Sequence, residues 1–198
     1  STSDPNAGDT FTYSLASGAG STDNASFDIS GNNLITKAAF DFESQSSYSI
    51  RVRSTDNGAP PYYIEKEFTI TINDTNDPPT DISLDSTDVD ENLPIETVVG
   101  NFSTSDPNVG DSFTYSLVSG EGDTNNNSFT ITGNSLKTAG IFNFESKLSY
   151  SIRVRSTDNG TPPYYFEKIF TITINDVNET PTIISLSSTN IDENLPAG

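Results

Sequence analysis

"FTITINDTNDPPT", residues 68–80, joins an alternating apolar run to a cluster of acids and two prolines. Phe68, Ile70 and Ile72 alternate with Thr69, Thr71 and Asn73, so on an extended chain the apolar side chains share one face. The strand then meets Asp74, Asn76 and Asp77, followed by Pro78 and Pro79. Proline has no N–H for a ladder and fixes φ, so the strand stops and a directed connection begins. The carboxylates at its end repel one another, in a chain whose formal net charge is already −19. What offsets that repulsion is the functional question.

The same stretch returns further on. "FTITIND" at 68–74 recurs at 170–176, "YSIRVRSTDNG" at 48–58 recurs at 150–160, and "DENLP" at 90–94 recurs at 192–196. "STSDPNAGDTFTYSL" at 1–15 becomes "STSDPNVGDSFTYSL" at 103–117, and the offset is 102 residues in every case. About two in three aligned positions are identical. A fixed period of this kind marks a tandem array. Its frame is displaced: residues 1–78 read as a unit lacking its first strand or strands, 79–180 as a complete unit, and 181–198 as the opening strand of a third.

In the complete unit, alternation and turn signals predict strands at 82–84, 98–103, 113–117, 129–132, 136–138, 150–156 and 167–175. Tyr150, Ile152 and Val154 should face inward, with Ser151, Arg153 and Arg155 outward. Phe113, Tyr115, Phe129, Phe142, Phe144, Tyr150 and Phe170 should supply the bulk of the core. No segment has a capped helical period. Seven short strands in about a hundred residues predict an all-β fold, a seven-stranded Greek-key, immunoglobulin-like sandwich repeated in tandem.

Composition removes several functional classes. Acidic residues outnumber basic ones by 28 to 9, which argues against nucleic acid and against an anionic membrane surface. There is no Cys, His, Met or Trp, so thiol chemistry, imidazole acid–base work and the usual zinc ligands are absent. No apolar run is long enough for a membrane-spanning helix and no signal peptide is visible. A carboxylate pair could serve a glycosidase, but each candidate pair is duplicated in tandem and no pocket-forming insertion is visible. The chain reads as a non-enzyme.

The acids fall in clusters that keep the repeat's register. They are "DEN" at 90–92 and 192–194, "DPN" with Asp4/Asn6 and Asp106/Asn108, and the i, i+2 pair Asp41/Glu43 that becomes Asn143/Glu145. The strand ends add Asp74-Thr75-Asn76-Asp77 and Asp176-Val177-Asn178-Glu179, and "STDNG" adds Asp56 and Asp158. Ca²⁺ takes six to eight oxygens, and Asp, Glu, Asn and backbone carbonyls supply them. Asp9 and Asp111, each in a "GD" pair, read as turn caps.

Together these motifs resemble cadherin repeats, in particular the bacterial cadherin-like repeats of large surface proteins, over essentially the whole chain. The resemblance implies sandwiches of cadherin type arranged as a rod, with Ca²⁺ at the junctions between repeats. At the first junction it implies Asp41 and Glu43, the linker residues Asp74, Thr75 and Asn76 (through carbonyls) and Asp77, and then Asp106, Asn108 and Asp158. At the second it implies Glu91, Asn143, Glu145, Asp176, Val177 and Asn178 (through carbonyls) and Glu179. Asp4, Asn6, Asp56 and Glu193 complete the metal set by the same repeat. Pro78, Glu179, Thr180, Asn108 and Asn143 depart from the residues the family usually carries there, which implies roughly one to three ions per junction.

The expected function is therefore a calcium-dependent structural or adhesive segment of an extracellular, cell-surface protein or filament. Its partners would be neighbouring repeats and a glycan or cell-surface ligand. A second copy could also join head to tail, with strand 181–198 completing the first unit and delivering Glu193. The alternative is a carbohydrate-binding module, with Tyr62, Tyr63, Tyr164 and Tyr165 of the two "PPYY" stretches stacking on sugars. "PPYY" also matches a WW-domain ligand pattern, which a hairpin entering a strand explains better.

Overall fold

Side-chain alternation becomes pleated sheet throughout the computed structural model, which describes residues 1–6, 8–190 and 193. Spatially the chain divides into two units, one of residues 1–78, 106–111 and 159–164, the other of 79–105, 112–158 and 165–198.

In the first unit, β1 (Phe11–Leu15), β4 (Ser47–Asp56) and β5 (Tyr63–Thr71) form an antiparallel sheet in the order β1-β4-β5. A separate hairpin pairs β2 (Phe27–Ser30) with β3 (Asn33–Thr36). The long β4–β5 ladder sets Ile50 opposite Phe68 and Tyr48 opposite Ile70. Among the described residues of this unit, Ala16, Phe27 and Ile50 are the buried apolar ones. Phe40 packs its ring 4.5 Å from Tyr48.

The second unit is a two-sheet sandwich. One sheet runs β10 (Phe129–Thr132), β11 (Ser135–Thr138), β8 (Val98–Ser105) and β6 (Asp81–Leu84). The other runs β7 (Asp88–Asp90), β13 (Tyr165–Asn175), β12 (Ser149–Thr157) and β9 (Thr114–Leu117). The seven expected strands are all present. An eighth, β7, goes beyond the expectation: the opening segment changes sheets, pairing antiparallel with β8 through β6 and parallel with β13 through β7. Gly100 makes the crossing possible, since a Cβ there would stand 2.6 Å from the Ser86 carbonyl oxygen.

The core is one cluster between these sheets, with Ile82, Leu136, Ile152, Val154, Ile172 and Ile174 essentially inaccessible. Ile152 and Val154 face in as expected. On the opposite face Arg153 and Arg155 clasp Glu167, with Arg155 Nη2 2.6 Å from Oε1. Phe129, Phe142 and Phe170 are buried, and Tyr115, Phe144 and Tyr150 pack against them. Phe113 is a correction, because it precedes β9 and stands outside the cluster.

The opening stretch also needs correcting. Phe68 is 42% exposed although its repeat counterpart Phe170 is 8% exposed, and β5 stops at Thr71 whereas β13 continues to Asn175. The burial follows cover, since the Phe102 ring of β8 packs 5.6 Å from that of Phe170, and the strand length follows pairing. Residues 173–175 are held by β7, and no strand flanks β5 on that side among the described residues. Residues 181–190, expected to open a third unit, carry no strand, and the rest of that expected strand lies outside the described residues except for Glu193.

Candidate metal sites

Glu91 follows β7 and is 1% exposed. A carboxylate is not buried without partners, and its partners are backbone donors. Oε2 accepts the Phe144 N–H at 2.8 Å and Oε1 accepts the Val177 N–H at 2.9 Å. Glu91, Glu145 and Asp176 each bring a carboxylate oxygen within 4.8 Å of the others. In the first unit Asp4, Asp9 and Asp56 do the same. Oxygens bound to one Ca²⁺ at about 2.3–2.6 Å stand at most about 5 Å apart, so each group has the span of one ion's shell.

The donor chemistry fits a hard cation and little else. All six groups are carboxylates, and none of them belongs to the ion pairs that Glu65, Asp81, Glu96 and Glu167 make with Lys or Arg. In residues 106–111 a further carboxylate oxygen, Asp111 Oδ2, is buried without a hydrogen-bond partner.

The other expected ligands are placed as follows. Asp41 Oδ1 accepts the Glu43 and Ser44 N–H groups, and its Oδ2 accepts the Ser44 hydroxyl at 2.8 Å. The Ser44 hydroxyl and N–H hold the Asp41 carboxyl below its ordinary value. Glu43 moves the other way. Its own N–H lowers it, but desolvation, the charges of Asp74 and Asp77 and the bond with Asp41 outweigh that and raise it. The charges of Asp74 and Asp77 thus add to desolvation in opposing ionisation of Glu43.

Asn108 is the neutral member of that neighbourhood. Its Nδ2 donates to Asp74 Oδ1 at 2.9 Å and to the Thr75 carbonyl at 3.2 Å, and its Oδ1 accepts the Asp77 N–H at 2.7 Å. Asn76 Nδ2 donates to the Pro162 carbonyl. Asp106 Oδ1 accepts the Asn108 N–H, as Asp4 Oδ1 accepts that of Asn6. Asp56 Oδ1 accepts the N–H groups of Gly58 and Tyr62. Asp158 is buried.

Around the second group, Asn143 Oδ1 accepts the Ser146 N–H at 2.7 Å, so it closes a turn as Asp41 does. Glu179 Oε1 accepts from Asn92 Nδ2 at 2.7 Å. Val177, Asn178 and Glu193 are exposed. The local sequence makes Asp9 a turn cap, yet it joins Asp4 and Asp56. A signal for it exists: Asp9 and Asp111 keep the same 102-residue register as the other clustered acids.

Residues 85–175 match the model of the cadherin domain. Among curated proteins, mouse Protocadherin Fat 2 is 33% identical over 158 residues, covering 77% of this chain and 4% of that protein. Human Cadherin EGF LAG seven-pass G-type receptor 2 is 28% identical over 83% of this chain and 6% of its own length. The chain thus spans a small fraction of the relatives it matches. Among solved structures, mouse Cadherin-23 EC22-24 has a TM-score of 0.62 at 25% identity, covering 88% of this chain and 57% of that one. Human Protocadherin-24 EC1-2 reaches 0.66 at 18% identity, covering 85% and 83%. Residues 85–175 are thus cadherin-like in sequence, and the all-β fold is similar to that of the solved cadherin structures.

Proposed function

We propose that this chain is a structural, adhesion-type segment of an extracellular surface protein, of the bacterial cadherin-like kind its motifs resemble, with Ca²⁺ held at its acidic clusters. The observation that carries the reading is the convergence of Glu91, Glu145 and Asp176 on a space of one ion's width. The full ligand set would be that implied by the repeats, with Asp9 and Asp111 added.

The chain's own residues divide the work. Glu91, fixed by the N–H groups of Phe144 and Val177, ties the segment after β13 to the loop that carries Glu145. Asp176 follows directly from β13, so its position is set by the ladder. Bound Ca²⁺ would supply the positive charge that these carboxylates lack among themselves. Affinities of extracellular Ca²⁺ modules are about 10⁻⁴–10⁻³ M, and at 100-fold excess over the dissociation constant one site adds about 2.7 kcal/mol of stability. Neighbouring repeats are the partners of such an array, and a second copy joined through residues 181–198 would extend it.

The test is a thermal melt with small-angle scattering, in Ca²⁺ and in chelator. The reading expects a higher midpoint and a longer, stiffer particle with Ca²⁺; no change in either would remove it.

A second reading rests on the tyrosines. Tyr62 and Tyr63 are 71% and 62% exposed. Arg53 covers one face of Tyr63 at 4.3 Å, and Arg155 one face of Tyr165 at 4.1 Å. A glycan array discriminates: sugar binding lost in Tyr62→Ala and Tyr63→Ala would favour a carbohydrate-binding module.

A further inference from the structure

Within the first unit, the Asn108 carboxamide reaches residues 74–77 from the loop of residues 106–111. A local turn sets it there, since Asp106 Oδ1 accepts the Asn108 N–H at 2.9 Å. The same turn recurs at Asp4 and Asn6, so it belongs to the repeat's own sequence and leaves the carboxamide to point outward.

Both ends of that carboxamide are used. Nδ2 donates to Asp74 Oδ1 at 2.9 Å and to the Thr75 carbonyl at 3.2 Å, and it lies 3.5 Å from Glu43 Oε1. Oδ1 accepts the Asp77 N–H at 2.7 Å. A carboxylate and a carbonyl only accept, and a backbone N–H only donates, so these partners fix which way the amide points. Turned over, it would set its oxygen against acceptors and its NH₂ against a donor.

The oxygens gathered by Nδ2 are also those a hard cation would take at this strand end. We infer that Asn108 is a gate on this cluster: its carboxamide holds residues 74–77 without calcium, and a cation takes Asp74 Oδ1 and the Thr75 carbonyl only when the carboxamide gives them up. Turning the amide to offer Oδ1 to the ion breaks the Asp77 bond as well. An aspartate at 108 would behave in the opposite way. One of its oxygens could keep the Asp77 N–H while the other faces the ion. Without an ion, it would set a like charge against Asp74 and an acceptor against the Thr75 carbonyl. The hold uses no calcium, and the exchange rests on the calcium reading proposed above.

Wild type, Asn108→Ala and Asn108→Asp, compared in chelator and in Ca²⁺, test it. Hydrogen exchange of the Asp77 amide reports the hold. In chelator that amide should exchange about tenfold faster in Asn108→Ala than in wild type, with the amides of β4 unchanged. Asn108→Asp should melt below wild type in chelator and above it in Ca²⁺. Titration calorimetry should give Asn108→Asp about tenfold tighter Ca²⁺ binding at one site. Equal Asp77 exchange in wild type and Asn108→Ala would overturn the hold, and unchanged Ca²⁺ affinity in Asn108→Asp would overturn the gate. Absence of Ca²⁺ binding in all three chains would overturn the gate together with the calcium reading, whereas Asp77 exchange in chelator judges the hold apart from it.

Discussion

The Glu91 carboxylate accepts the Val177 N–H at 2.9 Å, across 86 residues of sequence, while its other oxygen holds Phe144. Glu91→Ala leaves both N–H groups without that acceptor, at about 1–3 kcal/mol for each one that stays buried. Glu91→Gln keeps one acceptor oxygen and should lose less. Urea unfolding of the chain checks the order; equal stability of all three proteins would show that the buried carboxylate holds nothing.

Glu65 and Glu167 each sit between two arginines. Hydrogen bonds from Arg51 and then Arg53 hold Glu65 below its ordinary 4.5, and those from Arg155 and then Arg153 do the same for Glu167. A depressed folded value means that this stabilisation is present above 4.5 and is lost as pH falls through the folded value. Glu167→Gln should therefore cost stability at neutral pH and flatten the loss on acidification below pH 4.5. Unfolding curves at a series of pH values measure both effects; parallel curves for variant and wild type would contradict the prediction.

Gly122 and Gly140 should respond oppositely to alanine. Gly122 has φ +87°, and a Cβ there would meet the Ile169 side chain at 2.7 Å. Gly122→Ala should cost about 1 kcal/mol or more. Nothing lies within 4 Å of a Cβ at Gly140, so Gly140→Ala should stay within about 0.5 kcal/mol of wild type. Thermal melts of the pair decide it.

The raised Glu43 carboxyl reports on its neighbours. Asp74→Asn removes one of the two charges that raise it, so the Glu43 titration should move down. A ¹³C-detected NMR titration of the glutamate carboxyls reads this directly, and an unmoved Glu43 would show that Asp74 is not felt there.

Much of the second unit was legible in the sequence because its strands alternate cleanly. Tyr150, Ile152 and Val154 against Arg153 and Arg155 is a pattern that only a half-buried strand satisfies. The strand β7 was not legible, since three residues around Val89 carry no period and its parallel pairing with β13 is long-range. Repetition misled in one respect. Phe68 and Phe170 share a sequence context, but exposure depends on what covers β5 and β13, which the local pattern does not encode. Of the carboxylates that converge, the register of the repeat singles out Asp4, Asp56, Glu91, Glu145 and Asp176. Asp9 keeps that register too, but a Gly-Asp pair also looks locally like a turn.

Ca²⁺ titration calorimetry on the chain, beside the variant E145Q/D176N, asks whether the acidic clusters hold the ion. Glu145 and Asp176 are both exposed, so the variant should fold like the wild type. Saturable binding is expected, with affinity of about 10⁻⁴–10⁻³ M, and loss of at least one site in the variant. No binding heat with the wild type, or the same stoichiometry in both proteins, would contradict it.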